Sequence, residues 1–180
     1  MRHAAVFLAI FALCALGAAH SSFGQAPADQ PVVKAVAVLN PVSGSKVTGI
    51  VIFTKADNGI KIVADVEGLS PGKHGFHVHQ YGDCTAANGD SAGGHFNPEG
   101  MAHGGPMGKE RHVGDAGNLV AGDDGKAHYE WTDDVMTFEG RDSIIGRGLI
   151  VHAGADDLVS QPAGNSGPKV ACGVIGIAAK

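Results

Sequence analysis

An all-β domain of antiparallel strands is predicted for this 180-residue chain, and three observations predict it. Glycine is abundant, at 28 residues, while charged residues make up only 17%; glycine serves turns and weakens helices, which disfavours a helical bundle. Apolar and β-branched runs are short and recur at close intervals, as half-buried strands do. Between them stand Asp57-Asn58-Gly59 and Asp123-Asp124-Gly125, whose residues tolerate positive φ and mark hairpins rather than βαβ crossovers. The length suits one domain with a real hydrophobic core.

In chain order, Arg2 and His3 precede an apolar run over residues 4–19, followed by small and polar residues to Gln25. This has the form of a cleaved secretory signal peptide over residues 1–19, with a boundary as late as 24. About 16 apolar residues fall short of the roughly 20 that span a bilayer, so no membrane attachment is expected after cleavage. Residues 20–31 read as a flexible leader, and residues 32–180 as the domain. Strand-like runs occupy residues 32–39, 49–54, 60–66, 75–80, 118–121, 128–132 and 148–152. Two stretches break the rhythm: residues 81–117, rich in Gly, Asp, Asn and His, and residues 153–169, which mix Gly, Ser, Pro and Asp. Loops of that length inside a compact domain carry function or are organised by a metal.

The formal charge of −5 becomes about −6 once Arg2 leaves with the signal. That balance, with no basic patch, argues against nucleic acid as a partner. The exported chain keeps Cys84 and Cys172. In an oxidising compartment the pair reads as one disulfide, worth about 4 kcal/mol in the chain-entropy model; two free buried thiols would suit a cytosolic protein.

Ten histidines occur, seven of them between His74 and His128 and another at His152. His77 and His79 alternate with Phe76 and Val78, so on a strand both imidazoles leave one face and the apolar pair the other. Taken alone, such a pair is as often a pair of exposed strand histidines as a pair of ligands. His95, His103, His112 and Asp115 add weight because the Gly-rich segment around them has no apolar pattern to hold it. Three imidazoles and a carboxylate make the closed four-coordinate shell of structural zinc, which would couple metal binding to loop folding. An imidazole-rich site without thiolate or thioether also suits divalent copper. Spacing alone does not say that there are two metals.

Gly75-Phe76-His77-Val78-His79-Gln80-Tyr81-Gly82-Asp83, then Gly94-His95-Phe96-Asn97-Pro98, His103-Gly104-Gly105-Pro106 and Arg111-His112-Val113-Gly114-Asp115 resemble the copper–zinc superoxide dismutases. The resemblance continues through Ile144-Ile145-Gly146-Arg147, Val151-His152, Ala155-Asp156-Asp157 and Ala171-Cys172-Gly173-Val174-Ile175-Gly176. Cys84 lies nearer His79 than in the animal enzymes, so the chain is most similar to exported bacterial-type members. The resemblance implies an eight-stranded antiparallel Greek-key β-barrel or sandwich with two long functional loops. It implies copper on His77, His79, His95 and His152, and zinc on His95, His103, His112 and Asp115, with His95 shared and acting as proton donor. Superoxide is the implied substrate, and dioxygen and hydrogen peroxide the implied products. Asp156 matches the carboxylate that joins a copper-bound and a zinc-bound histidine, Cys84 and Cys172 match the family's disulfide pair, and His74 matches a histidine that bonds main chain.

One position departs from the family pattern: Lys169 stands where an arginine is expected beside the copper, three residues before Cys172. Lysine keeps the charge but lacks the rigid fork of donors, so a slower enzyme is expected. The loop after Asp157 is also shorter than in the animal enzymes and has lost most of its charge, which leaves Lys169, aided by Lys109 and Arg111, to attract the anion. Asp133, with Glu99, Asp123, Asp124 and Asp134, reads as a solvated acid, and His128 as an exposed histidine. Ile145, Gly146 and Ile177 match a dimer contact, so a homodimer is expected, in the periplasm or another extracytoplasmic space. The rival reading is a non-enzymatic copper-binding or delivery protein on the same fold.

Overall fold

A computed structural model describes residues 30–179; the expected signal peptide and nearly all of the expected leader lie outside the described residues. The strands are β1 Lys34–Pro41, β2 Thr48–Ala56, β3 Gly59–Glu67, β4 Gly72–His79, β5 Asp115–Ala121, β6 Ala127–Asp133, β7 Gly148–His152, β8 Lys169–Val174 and the short β9 Gly176–Ile177. One 3₁₀ turn, Asp90–Ala92, is the single helical piece among the described residues.

Alternation makes the strands. In β1 and β3 every second residue is buried: Ala35, Ala37 and Leu39 on one, Ile60, Ile62, Ala64 and Val66 on the other. Their partners on β2, Val51 and Phe53, complete that face, so one side of a meander enters the core. β4 and β7 break the alternation, for His77, His79 and Ile150 on their second face are buried as well as the core residues. The two histidines are thus enclosed by loops rather than left to solvent.

All pairings are antiparallel and run β5-β4-β7-β8-β1-β2-β3-β6. β1 serves both halves, pairing with β2 along most of its length and with β8 at Asn40–Pro41, and β9 adds to its start. This is the expected eight-stranded Greek-key barrel, nearly closed, with β5 and β6 facing each other across the one seam that has no ladder. Tyr129 crosses the seam by donating its hydroxyl to the Ala116 carbonyl at 2.8 Å.

Seven strands coincide with the seven apolar runs. β8 does not, because Lys169-Val170-Ala171-Cys172-Gly173-Val174 offers no clean alternation. The turn at Asp57-Asn58 closes a true hairpin, with Ala56 opposite Gly59. The turn at Asp123-Asp124-Gly125 is tight but joins the two seam strands, so the hairpin ladder expected there is absent. A disulfide links Cys84 to Cys172 and so fastens the loop after β4 to β8.

Candidate metal centre

Two adjacent strands present the first cluster. His77 and His79 leave one face of β4, and His152 ends the neighbouring β7, where Phe76 pairs with Val151 and His79 with Gly148. His95 arrives from the first long loop by a bridge to His79. The ring centroids of His77 and His95 are 4.0 Å apart, and those of His79 and His152 5.7 Å. One donor atom from each of His77, His79, His95 and His152 lies within 4.8 Å of every other.

Each imidazole in this cluster uses one nitrogen and leaves one bare. His77 donates from Nε2 to Asp156 Oδ2 at 2.8 Å, His79 from Nδ1 to the Gly93 carbonyl at 2.8 Å, and His152 from Nδ1 to the Gly167 carbonyl at 2.9 Å. The opposite nitrogens, His77 Nδ1, His79 Nε2, His152 Nε2 and also His95 Nε2, are buried with no hydrogen-bond partner. Buried polar atoms are almost always satisfied, so four orphans side by side are the mark of a cation site. Four imidazole nitrogens with no sulfur fit copper.

Burial dominates the acid–base behaviour of these rings. With the help of neighbouring imidazoles it takes His77 down to about 3 against the pull of Asp156, and His152 down to about 4; His79 is lowered strongly for the same reason. They stay neutral at physiological pH, which is the form that binds a metal.

The second cluster shares His95. Its Nδ1 lies 2.8 Å from Asp115 Oδ1, and His112 Nδ1 lies 3.2 Å from that oxygen and 3.4 Å from His95 Nδ1. His103 Nδ1 sits 3.0 Å from Asp115 Oδ2 but out of line for a hydrogen bond, and is orphaned. A tetrahedron with metal–ligand bonds of about 2.0 Å has donor–donor edges of about 3.3 Å. The spacings of this three-imidazole, one-carboxylate set fit zinc. Asp115 opens β5 inside what reads as loop in the sequence, because a bulge after Gly75 lets β5 pair with His77. Burial opposes its ionisation, yet His103, His112, His95 and the Gly104 N–H hold its carboxyl far below the usual range.

Asp156 lies between the clusters, wholly buried. Oδ2 takes the His77 bond and Oδ1 accepts from His103 Nε2 at 2.9 Å and from the Leu158 N–H at 2.7 Å. Burial alone would lower His103, but Asp115 and Asp156 together outweigh it and raise that ring to about 9. Such carboxylate–imidazole bonds fix ring orientation and tautomer.

Several residues that hold this arrangement gave no signal in the sequence. Asn118 clamps the Asp156 main chain, accepting its N–H at 2.8 Å and donating to its carbonyl at 2.9 Å. Gln161 does the same for His103, accepting its N–H at 2.8 Å and donating to its carbonyl at 3.0 Å. Gly164 packs on the Asp156 carboxylate, where a Cβ would fall 1.8 Å from Oδ1. Only positions in the fold, not residue types, mark these.

Other expectations divide. His74 bonds main chain, through Nδ1 to the His152 carbonyl and Nε2 to that of Ser70, both at 2.9 Å. His128 is exposed and pairs with Asp65. Lys169 opens β8 opposite His152, beside the first cluster. Two expectations fail together: Arg111 is not available to attract an anion, and Asp133 is not a solvated acid. Both are buried, with Arg111 NH2 2.9 and 2.8 Å from the two Asp133 oxygens, because each charge needs the other once out of water.

Residues 47–175 match the family model for copper/zinc superoxide dismutase. Among curated proteins, an extracellular superoxide dismutase [Cu-Zn] of Brugia pahangi is 48% identical over 155 residues, covering 81% of this chain and 76% of that protein.

Proposed function

The chain belongs to the copper/zinc superoxide dismutase family, and from that premise we propose how its residues divide the work. It is an enzyme that turns two superoxide anions and two protons into dioxygen and hydrogen peroxide, with copper and zinc as its metals. In our reading His77, His79, His95 and His152 hold copper, and His95, His103, His112 and Asp115 hold zinc. The observation that carries this is the set of four bare, buried imidazole nitrogens facing one another. Copper, when bound, supplies the one-electron chemistry, and zinc supplies fixed positive charge and loop order.

The chain's own groups do the rest. His95 faces both clusters from opposite sides of one ring, so its Nε2 is the atom that takes up a proton and delivers it to the peroxide formed from the second superoxide; solvent supplies the other proton. Asp156 keeps His77 and His103 in the tautomers that leave their Nδ1 atoms bare. Lys169 attracts the anion. The test is metal analysis and superoxide-dismutation assay on one sample: activity should follow copper content, and His152→Ala should lose copper and activity while keeping zinc. Activity without copper overturns the assignment, and full copper occupancy without acceleration above free copper favours the copper-delivery alternative.

We also infer export. Residues 1–19 act as a signal, cut no later than residue 24, and residues 32–180 form the mature domain, in the periplasm or another extracytoplasmic space; the Cys84–Cys172 disulfide supports an oxidising compartment. N-terminal sequencing of secreted protein tests it. A homodimer through Ile145, Gly146 and Ile177 is supported by the exposure of Gly146 and Ile177, which flank the bond from the Gly146 N–H to the Ile175 carbonyl at 2.8 Å. Sedimentation should give twice the chain mass for the parent and a monomer for Ile177→Asp.

A further inference from the structure

Lys169 does not stand free at the copper cluster. Its Nζ lies 2.6 Å from Oδ1 of Asp90, the first residue of the 3₁₀ turn. The lysine stem has a seat: a Cβ at Gly89 would meet Lys169 Cδ at 3.1 Å and its Cβ at 3.4 Å, so the bare glycine leaves room for the methylenes while Asp90 takes the head. Asp90 is held in turn. Asn88 Nδ2 donates to Asp90 Oδ2 at 2.7 Å and Asn88 Oδ1 accepts the Asp90 N–H at 3.1 Å. The disulfide ties this segment to β8, the strand on which Lys169 stands.

As a stabilising contact the pair counts for little, since Asp90 is largely exposed. Its effect is on the charge an anion meets. We propose that Asp90 is a positioning and anion-specificity residue of the copper centre: it pins the Lys169 ammonium at the rim beside His152 and offsets its charge. An approaching anion then meets a paired lysine instead of a free cation, and Asp90, absent from the motifs that mark the site, sets how tightly small anions are held. The inference rests on the four-imidazole cluster being the copper site. A unit charge a few ångströms from a bound anion, in surroundings as polar as water, changes affinity on the order of three-fold, and salt suppresses the effect as the screening length shortens.

Azide, a small anion that binds cupric ion, is the probe. In the copper- and zinc-loaded protein, Asp90→Asn should tighten azide binding about three-fold at roughly 10 mM ionic strength, with the difference vanishing near 0.5 M. Asp124→Asn, the same charge change in the turn at the far end of β5 from Asp115, should leave azide affinity unaltered. A second readout needs neither metal nor activity. In the metal-free protein, acylation of Lys169 by an amine-reactive anhydride, followed by peptide mass spectrometry, should run several-fold faster in Asp90→Asn than in the parent, with other lysines unaffected. Equal labelling of Lys169, or unchanged or weaker azide binding in Asp90→Asn, overturns the role of Asp90 and leaves the copper assignment standing. Absence of any azide signal in the loaded parent overturns the copper assignment, and this inference with it.

Discussion

Gly164→Ala should damage both metal sites without touching a ligand. Gly164 has a φ of +66°, and an added Cβ would lie 1.8 Å from Asp156 Oδ1, 2.6 Å from its Cγ and 2.7 Å from His103 Nε2. The glycine cannot retreat, because its N–H donates to the Ser160 carbonyl at 2.7 Å and its carbonyl accepts the Asp157 N–H at 2.9 Å. Restoring ordinary contact moves the carboxylate by roughly 1.5 Å, and bonds of 2.8 and 2.9 Å to His77 and His103 have no such slack. Loss of the outer partner of a metal-holding histidine lowers affinity about 10- to 100-fold. The left-handed backbone adds about 1 kcal/mol for alanine, and Gly140→Ala isolates that part, since Gly140 has a φ of +74° and nothing within 4 Å of its added Cβ. Zinc affinity is measured by competition with a chromophoric chelator. Gly164→Ala should bind zinc at least ten-fold more weakly than Gly140→Ala; affinities within three-fold of each other would refute the role given to the Asp156 bridge.

Gln161→Ala removes two hydrogen bonds to the His103 main chain, together worth about 1–2 kcal/mol, so zinc release to excess chelator should quicken about ten-fold; an unchanged rate would sink the idea. Arg111→Met leaves the Asp133 carboxylate buried without its cation, and urea unfolding should show a loss of about 3–5 kcal/mol, whereas a loss below about 1 kcal/mol would mean the pair is not paired out of water. In the metal-free protein, burial lowers His77 to about 3 and His152 to about 4. The unfolded chain therefore binds protons below about 6.5 that the folded one refuses, and stability declines as pH falls from there towards 4. His103, raised to about 9, acts in the opposite sense: its contribution is whole below about 6.5 and is lost as pH rises through 9. The urea midpoint of metal-free protein should thus be higher near pH 6.5 than at 4.5 or 9.5, and a midpoint that climbs steadily to 9.5 would contradict this.

What the sequence discloses is residue type and local period, and the structure departs from it where partners decide. His77, Val78 and His79 read correctly as alternating faces because a strand imposes that period whatever surrounds it. Which nitrogen of each ring stays bare was illegible, since it depends on the Gly93 and Gly167 carbonyls, which any residue could supply. Asp133 looks like a turn acid beside Asp134, and only the arrival of Arg111 from another segment makes it a buried one. Lys169 was legible by its place in a known pattern, but its partner Asp90 lies 79 residues away and belongs to no motif. The missing ladder after Ala121 has the same origin: the turn residues permit a hairpin, and the order of strands around the barrel forbids it.

The two clusters differ in what prepares them. His77, His79 and His152 stand on paired strands held by backbone ladders, so β4 and β7 place three of the four rings of the first cluster, while loop groups, Asp156 and the Gly93 and Gly167 carbonyls, decide which nitrogen of each faces the others. In the second cluster only Asp115 belongs to a strand; His103 and His112 come from the Gly-rich loop, and His103 is pinned at its main chain by Gln161 and at its ring by Asp156, both from the other loop. That cluster therefore exists only when both loops are closed over the barrel, and a metal bound there stabilises the closed form. His95 belongs to both sets, and its ring cannot reorient for one without moving a donor of the other. Filling the loop cluster should therefore fix the fourth nitrogen of the strand cluster, and through the same loop it fixes the Gly93 carbonyl that orients His79.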